Sequence, residues 1–251
     1  MGAAEPRLLM AAQATMFARA QQLALGWLTE SEQARLATMQ HPHRRQEFVA
    51  CRYALRSLLA SVTGQPVEHW RLDASDGSAP RLNAQHHGAH AAATTHLTLS
   101  HSGSYLACAV AAQPVGVDIE VENFRSSRRD ALALATLACS EHEMQQLRAT
   151  GCALSRHRMF MQWWTLKESY FKCLGTGVDF SHIQRIECRL ATDSAERPLA
   201  HGSSWSGKTT TRDQDVVLSV CALEPGARPF ALLGNEVIEW YAQSDWVLMP
   251  C

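Results

Sequence analysis

This sequence of 251 residues has few lysines and no excess of charge of either sign. Its 23 basic residues stand against 24 acidic ones, and the formal net charge is −1. That balance excludes a chain drawn as a whole onto nucleic acid or an anionic membrane. The alanine-rich segment 8–28 contains Arg19 and several glutamines, so it is too polar for a membrane span or a signal sequence. We therefore expect a cytoplasmic protein that binds neither nucleic acid nor membrane.

The sequence also lacks any Cys-x-x-Cys motif, although it contains eight cysteines. Their wide spacing excludes a zinc ribbon and a thioredoxin-like redox site. We interpret them as reduced thiols, most of them buried. A composition that is 46% hydrophobic and 19% charged is typical of a folded chain with a packed core.

Apolar periodicity predicts helices that alternate with groups of short strands. Thr29 and Ser140 are each followed by a glutamate three residues later, the spacing of a capping box at a helix start. The predicted helices are 43–62, 129–137, 140–150 and 155–174. The predicted strands are 97–99, 105–111 and 115–121, an antiparallel meander, and then 183–190, 216–223 and 230–233. The segment 73–96, with its histidine-rich tract, is predicted to be a loop.

The order helix, strands, helix, strands indicates an α+β fold with two similar halves. We place the halves at 1–123 and 124–251.

One stretch imitates a nucleotide-binding motif. Residues Gly202–Thr209 match the phosphate-loop pattern G-x-x-x-x-G-K-T, which requires a buried strand before it and a helix after it. Pro198 interrupts the preceding segment, and the residues that follow favour a turn and a strand. We interpret this stretch as a hairpin connection.

The strand Gly116–Glu120 carries two acids at alternate positions. Side chains alternate along a strand, so Asp118 and Glu120 point to one side while Val117 and Ile119 point into a core. Two neighbouring carboxylates repel each other, and a hard divalent cation such as Mg²⁺ relieves that repulsion. A solvated strand edge would show the same pattern.

The predicted helix 155–174 contains Glu168 and Lys172, which are four residues apart and share one helix face. A surface ion pair explains that spacing equally well. However, Trp164, Tyr170 and Phe171 indicate that this helix is largely covered. Lysine is also scarce, since the sequence has only Lys167, Lys172 and Lys208 among its 23 basic residues, and two of the three are here. The pattern favours chemistry that needs a compact ammonium group.

Two further groups are candidates for a functional role. Ser100 and His101 lie at the end of the predicted strand 97–99, where a structural role for the histidine is the alternative. The helix 43–62 has a basic face whose guanidinium groups could recognise phosphate or could be solvated. Its arginines are Arg44, Arg45, Arg52 and Arg56. A second run, Arg125, Arg128 and Arg129, is interpreted as solvated.

The motifs L-S-H-S-G, P-V-G-V-D-I-E and W-W-T-L-K-E-S-Y-F-K, in that order, resemble those of the larger 4′-phosphopantetheinyl transferases, the Sfp type. The resemblance covers residues 30–177 well and the last 70 residues only by their strand pattern. It implies a monomer of two similar α+β halves related by a pseudo-twofold axis. It also implies transfer of the phosphopantetheine arm of coenzyme A to a serine of an apo carrier protein.

The resemblance also implies roles for individual residues. Asp118, Glu120 and Glu168 would bind Mg²⁺, and Glu168 would also be the base for the carrier serine. Lys172 would stabilise charge on the diphosphate and assist the leaving group. Residues that would contact coenzyme A are Arg52, Arg56, Ser100, His101 and Lys172. Trp164 and Lys167 are interpreted as supports, Lys167 through a pair with an acid.

One position departs from the family pattern. Many members have a Gly-Lys-Pro sequence before the S-H-S strand, and Ala79 stands here in place of that lysine. Arg81 is the candidate substitute. The alternative to a transferase is a module that binds coenzyme A or a carrier protein without catalysis.

Overall fold

We describe a computed structural model of the chain over residues 6–23, 26–74, 79–123, 130–191, 198–223, 231–233 and 238–251. The chain divides into two compact units. The first contains residues 1–115 together with 230–235, and the second contains 116–229 together with 236–251.

The first unit is built on a four-stranded sheet. Its strands β1 (Arg7–Ala12), β4 (His96–Ser102), β5 (Tyr105–Ala111) and β10 (Ala231–Leu233) lie in the order β10-β1-β5-β4. Strand β1 is antiparallel to β5 and parallel to β10. A small hairpin pairs β2 (Leu72–Asp73) with β3 (Arg81–Leu82). The helices are α1 (Gln13–Ala20), α2 (Glu30–Thr38), α3 (Pro42–Thr63), α4 (Ala84–His87) and α5 (Ala89–Thr94).

Helix α3 covers the sheet of the first unit. Its apolar residues Ala54, Leu55 and Leu58 are completely or almost completely buried, and they belong to one core with Leu106 and Val110 of β5. Gly64 ends the helix in the left-handed conformation, which glycine adopts without strain.

The second unit contains a five-stranded sheet in the order β6-β9-β8-β11-β7. These strands are β6 (Val115–Glu122), β7 (Ile186–Leu190), β8 (Ala200–Thr209), β9 (Asp215–Ala222) and β11 (Ile238–Pro250). Its helices are α6 (Ala131–Ala138), α7 (Glu141–Ala149) and α8 (Ala153–Leu174). Phe160, Trp163 and Leu166 of α8 pack into a core with Val217 and Cys221 of β9.

A glycine sets the distance between β6 and α8. An added Cβ at Gly116 would lie 1.7 Å from the backbone oxygen of Ser169 and 2.6 Å from the backbone nitrogen of Cys173. Only glycine allows the two backbones to approach so closely. This approach brings the acidic face of β6 next to the helix that carries Glu168 and Lys172.

The α+β class predicted from the sequence is confirmed, as are both capping boxes. The side chains of Thr29 and Ser140 accept the backbone N–H of Glu32 and Glu143, whose carboxylates reach back to the cap N–H groups. Helix α8 begins two residues earlier than predicted, and β5 has the predicted bounds.

Three local predictions are wrong. The strand 115–121 does not continue an antiparallel meander with 105–111, because β6 lies beside β9 in the sheet of the second unit. The segment predicted as a loop over 73–96 contains α4 and α5, because the Asn83 side chain caps the first of them and the tract is rich in alanine. Residues Gly202–Thr209 form most of strand β8 and not a hairpin connection, since β8 pairs with both β9 and β11. These residues do not form a phosphate-binding loop, because they lie within a strand.

The division into units differs from the predicted halves by a few residues. Strand β6 hydrogen-bonds to β9 and belongs to the second unit, whereas the sequence analysis placed it in the first half. Residues 230–235 belong to the first unit because β10 pairs with β1. Among the helices of the described residues, none has the length and hydropathy needed to cross a bilayer.

Candidate active site

The predicted acids of β6 and α8 come together within the second unit. Asp118 is buried on β6, and its Oδ1 accepts a hydrogen bond of 2.6 Å from Lys172 Nζ of α8. The same ammonium lies 3.9 Å from Glu168 Oε2. Asp118, Glu168 and Lys172 therefore form one cluster, and Lys172 remains 30% exposed at its edge.

The carboxyl group of Glu168 has an unusual proton affinity. Its pKa is raised to about 8, first by burial and then by the negative charges of Asp118 and Glu120, while Lys172 acts in the opposite direction. The one ammonium of Lys172 therefore leaves the cluster with an excess of negative charge.

The excess of negative charge and the carboxylate oxygens of the cluster fit a divalent cation. Three carboxylates supply hard oxygen donors, and a cation would remove the repulsion that keeps Glu168 protonated. Asp118, Glu120 and Glu168 are the residues that would hold it. Within the described ranges, no three acidic, histidine or cysteine side chains already have the arrangement of a metal site. The ammonium of Lys172 now bridges Asp118 and Glu168, so binding of a cation between them would require Lys172 to shift.

Ser100 and His101 lie on β4 in the first unit. Ser100 is buried, whereas the His101 side chain is 35% exposed. The Nδ1 atom of His101 lies 3.1 Å from Glu47 Oε1, and Arg44 Nη1 donates to the other Glu47 oxygen at 2.8 Å. Glu47 thus holds one ring nitrogen of His101 in place, a contact that no local sequence pattern indicated.

The structure places Arg52 and Arg56 inside the first unit. The Arg56 side chain is fully buried; it donates to both Glu32 oxygens, at 2.9 and 2.5 Å, and to the carbonyl of Trp70. Arg52 is 4% exposed and lies 3.7 Å from Glu32. Direct contact of Arg56 with a nucleotide would require this ion pair to open. Glu32 matched a capping box in the sequence, but no local pattern indicated that it would also pair with α3.

The remaining predicted residues have varied surroundings. Lys167 is fully buried and donates to Glu143 Oε2 at 2.6 Å, so it has the predicted acidic partner. Trp164 packs beside Phe160, with ring centroids 6.3 Å apart. Arg81 is exposed on β3. The predicted solvated run at Arg125, Arg128 and Arg129 lies outside the described residues.

A second contact between β6 and α8 was not predicted. Glu122 Oε1 lies 2.6 Å from His157 Nε2. Because side chains alternate between the two faces of a strand, the sequence could have revealed Glu122 as a third acid on the same face of β6 as Asp118 and Glu120. Nothing local in the sequence indicated that His157, eleven residues before Glu168, would meet it.

Comparison with known proteins agrees with this geometry. A family model described as the 4′-phosphopantetheinyl transferase superfamily matches residues 114–221, which include all three candidate metal ligands. The chain is 29% identical to the 4′-phosphopantetheinyl transferase Sfp of Bacillus subtilis, over 79% of this chain and 88% of the relative. It is 27% identical to the 4′-phosphopantetheinyl transferase HetI of a Nostoc species, over 80% of this chain and 81% of the relative.

A mammalian protein is also similar. The L-aminoadipate-semialdehyde dehydrogenase-phosphopantetheinyl transferase of Mus musculus is 26% identical over 66% of this chain and 53% of the relative. The matched motifs, the site and the likeness along four fifths of the chain lead to one conclusion. The protein belongs to the 4′-phosphopantetheinyl transferase superfamily and is a member of its Sfp type.

Proposed function

We propose that this protein transfers the 4′-phosphopantetheine arm of coenzyme A to a serine of an apo carrier protein. The observation that carries the proposal is the cluster of Asp118, Glu168 and Lys172, with Glu120 close enough to raise the pKa of Glu168. The reaction forms a bond between the serine oxygen and the phosphorus on the pantetheine side of the diphosphate. The bridging bond breaks, and its electron pair leaves with adenosine 3′,5′-bisphosphate.

Glu168 would take the proton of the serine hydroxyl. In the metal-free protein, burial and the charges of Asp118 and Glu120 raise its pKa to about 8. A bound cation would lower that pKa, so that the carboxylate would be ionised and able to accept the proton. Lys172 can move between Asp118 and the diphosphate because it is partly exposed, and its ammonium would stabilise the negative charge on the leaving group. A bound Mg²⁺, held by Asp118, Glu120 and Glu168, would supply further charge stabilisation at the diphosphate.

The residues of the first unit supply the proposed contacts to the nucleotide. The His101 side chain is more exposed than its partner Glu47, so its ring is accessible to a phosphate. Ser100 precedes it on β4. Arg44 is a better candidate for direct phosphate contact than Arg52 or Arg56, since it is 64% exposed and the other two are buried.

The transfer assay measures the mass gained by a panel of apo acyl and peptidyl carrier proteins incubated with coenzyme A and Mg²⁺. The wild-type protein should add the mass of the arm to a carrier serine. Glu168→Gln should lower turnover about 10²- to 10⁴-fold, the usual contribution of a general base. Lys172→Ala should also lower turnover, whereas the control Lys208→Ala should not, because Lys208 pairs with Asp213 on a hairpin.

Removal of divalent cations with a chelator should abolish transfer, and Mg²⁺ should restore it. No gain in mass across the panel, together with tight binding of coenzyme A, would favour the non-catalytic binding module instead. We further propose that the protein acts as a cytoplasmic monomer, for which sedimentation of the purified protein gives the oligomeric state.

A further inference from the structure

The Glu122–His157 pair lies on the same face of β6 as the candidate metal ligands. Positions 116, 118, 120 and 122 alternate with the buried residues Val117, Ile119 and Val121, so they share the side of the strand that meets α8. Asp118 contacts Lys172 near one end of this face, and Glu122 contacts His157 at the other. Glu120 lies between the two contacts.

The spacing of the contacts shows that β6 follows α8 in the opposite direction. The six residues from Gly116 to Glu122 span about 20 Å of strand. The stretch of α8 from His157 to the turn Ser169–Cys173 spans about 18–24 Å of helix. Because these lengths match, the strand stays against the helix along the whole acidic face. Contacts at both ends then fix the position of Glu120.

Binding of a divalent cation would affect the Asp118–Lys172 contact and the Glu122–His157 contact differently. Lys172 and a divalent cation would compete for Asp118, so the Asp118–Lys172 contact rearranges when a cation binds. The Glu122–His157 contact has no such competitor in the proposed reaction. His157 is 4% exposed and its ring is held within the unit, whereas the Glu122 side chain is 21% exposed.

We propose that Glu122 and His157 are positioning residues for the metal site. Their contact holds the end of β6 against α8, and so limits the positions that the carboxylates of Glu120 and Asp118 can take relative to Glu168 when a cation binds. This inference rests on the proposed function. A preorganised set of ligands binds a cation more tightly than a mobile set, because less conformational freedom is lost on binding.

The test measures binding of Mn²⁺, a spectroscopic substitute for Mg²⁺, by electron paramagnetic resonance of the purified protein. Glu122→Ala and His157→Ala should each raise the Kd for Mn²⁺ about 5- to 20-fold. The double variant should be no weaker than either single variant, because both changes remove the same contact. His157→Gln should recover most of the affinity, since the amide nitrogen of glutamine can replace Nε2 as a donor to Glu122.

A second pair in the same unit provides the matched control. His142 Nδ1 and Glu187 Oε1 are 2.5 Å apart on α7 and β7, and both residues lie outside the acidic cluster. His142→Ala should leave the Kd for Mn²⁺ unchanged. In the transfer assay, the site variants should raise the Mg²⁺ concentration for half-maximal rate, with kcat at saturating Mg²⁺ within about threefold of the wild type.

Other results would overturn the inference. A lower unfolding temperature with an unchanged Kd for Mn²⁺, measured well below that temperature, would show that the pair only stabilises the fold. If the alanine variants do not fold, His157→Asn decides the matter, because its shorter amide cannot reach Glu122. A Kd for Mn²⁺ of His157→Asn equal to those of His157→Gln and His142→Asn contradicts the proposal. If the wild type binds Mn²⁺ but does not transfer the phosphopantetheine arm to any carrier protein, the proposed function is contradicted instead.

Discussion

At the residue scale, burial and neighbouring charge decide the chemistry of Glu168. Its raised pKa means that the folded protein binds a proton that the unfolded chain releases at a lower pH. The stabilisation associated with this proton is fully present below the ordinary pKa of a glutamate. It is lost as the pH rises through the pKa of about 8 in the folded state.

We therefore expect the metal-free protein to lose stability between about pH 5 and pH 8 through this group. Thermal unfolding in the presence of a chelator, compared between the wild type and Glu168→Gln, isolates its contribution. The difference in unfolding temperature between the wild type and Glu168→Gln should change across this pH range and become constant above it. A difference independent of pH would contradict the raised pKa. Added Mg²⁺ should stabilise the wild type more at high pH than at low pH.

The ion pair between Arg56 and Glu32 gives a second prediction at this scale. Both side chains are fully buried, so Glu32→Gln would leave the guanidinium charge without its partner. We expect the free energy of unfolding to fall by about 3–5 kcal/mol. The control Arg44→Ala breaks a pair at the surface and should cost less than about 1 kcal/mol.

Urea unfolding measures both changes. An unchanged stability of Glu32→Gln, combined with a lowered KM for coenzyme A, would instead support the contact between Arg56 and the nucleotide that the sequence predicted.

At the scale of the secondary-structure elements, the close approach of β6 to α8 positions the candidate site. Gly116→Ala would place a Cβ against the backbone of Ser169, and neither backbone can move without separating the strand from the helix. We expect a loss of about 3 kcal/mol or more in unfolding free energy, at the upper end of what overpacking costs. Mn²⁺ affinity should fall as well, since Asp118 and Glu120 move with β6.

Gly151→Ala is the control for this substitution. A Cβ at Gly151 meets nothing within 4 Å, so the change should be tolerated. Equal stability of the two variants in urea unfolding would contradict the close approach.

Local patterns predicted most elements but not all of their partners. The caps at Thr29 and Ser140 and the periodicity of α3 and α8 depend on neighbours within a few residues, so the sequence was sufficient. Strand β8 was not recognised, because the glycines and serines in it are poor strand formers. Its pairing with both β9 and β11 overrides that preference.

At the scale of the whole chain, the C-terminal residues complete both units. Strand β10 pairs with β1 in the first sheet, and β11 lies between β8 and β7 in the second. The matched family segment ends at residue 221, before either strand. A chain ending at residue 223 would leave β7 without its neighbour and expose the edge of β8.

We therefore expect the truncated chain 1–223 to aggregate and to show no cooperative thermal unfolding. Removal of Cys251 alone is the control and should leave the unfolding transition in place, because that residue is exposed at the end of β11. Cooperative unfolding of the truncated chain, recorded by circular dichroism, would refute the need for β11.

The sequence alone determined the α+β class and the capped starts of α2 and α7, and it supplied the acids and the lysine proposed for the site. Those features follow from spacing within single segments: acids two apart on a strand, and an acid and a lysine four apart on a helix. Tertiary structure decided which charges meet. It placed Arg56 against Glu32, Lys167 against Glu143 and His157 against Glu122, and it raised the pKa of Glu168. These outcomes depend on burial and on partners far away in sequence, because the strength of a charge interaction depends on distance in space and on exclusion of water.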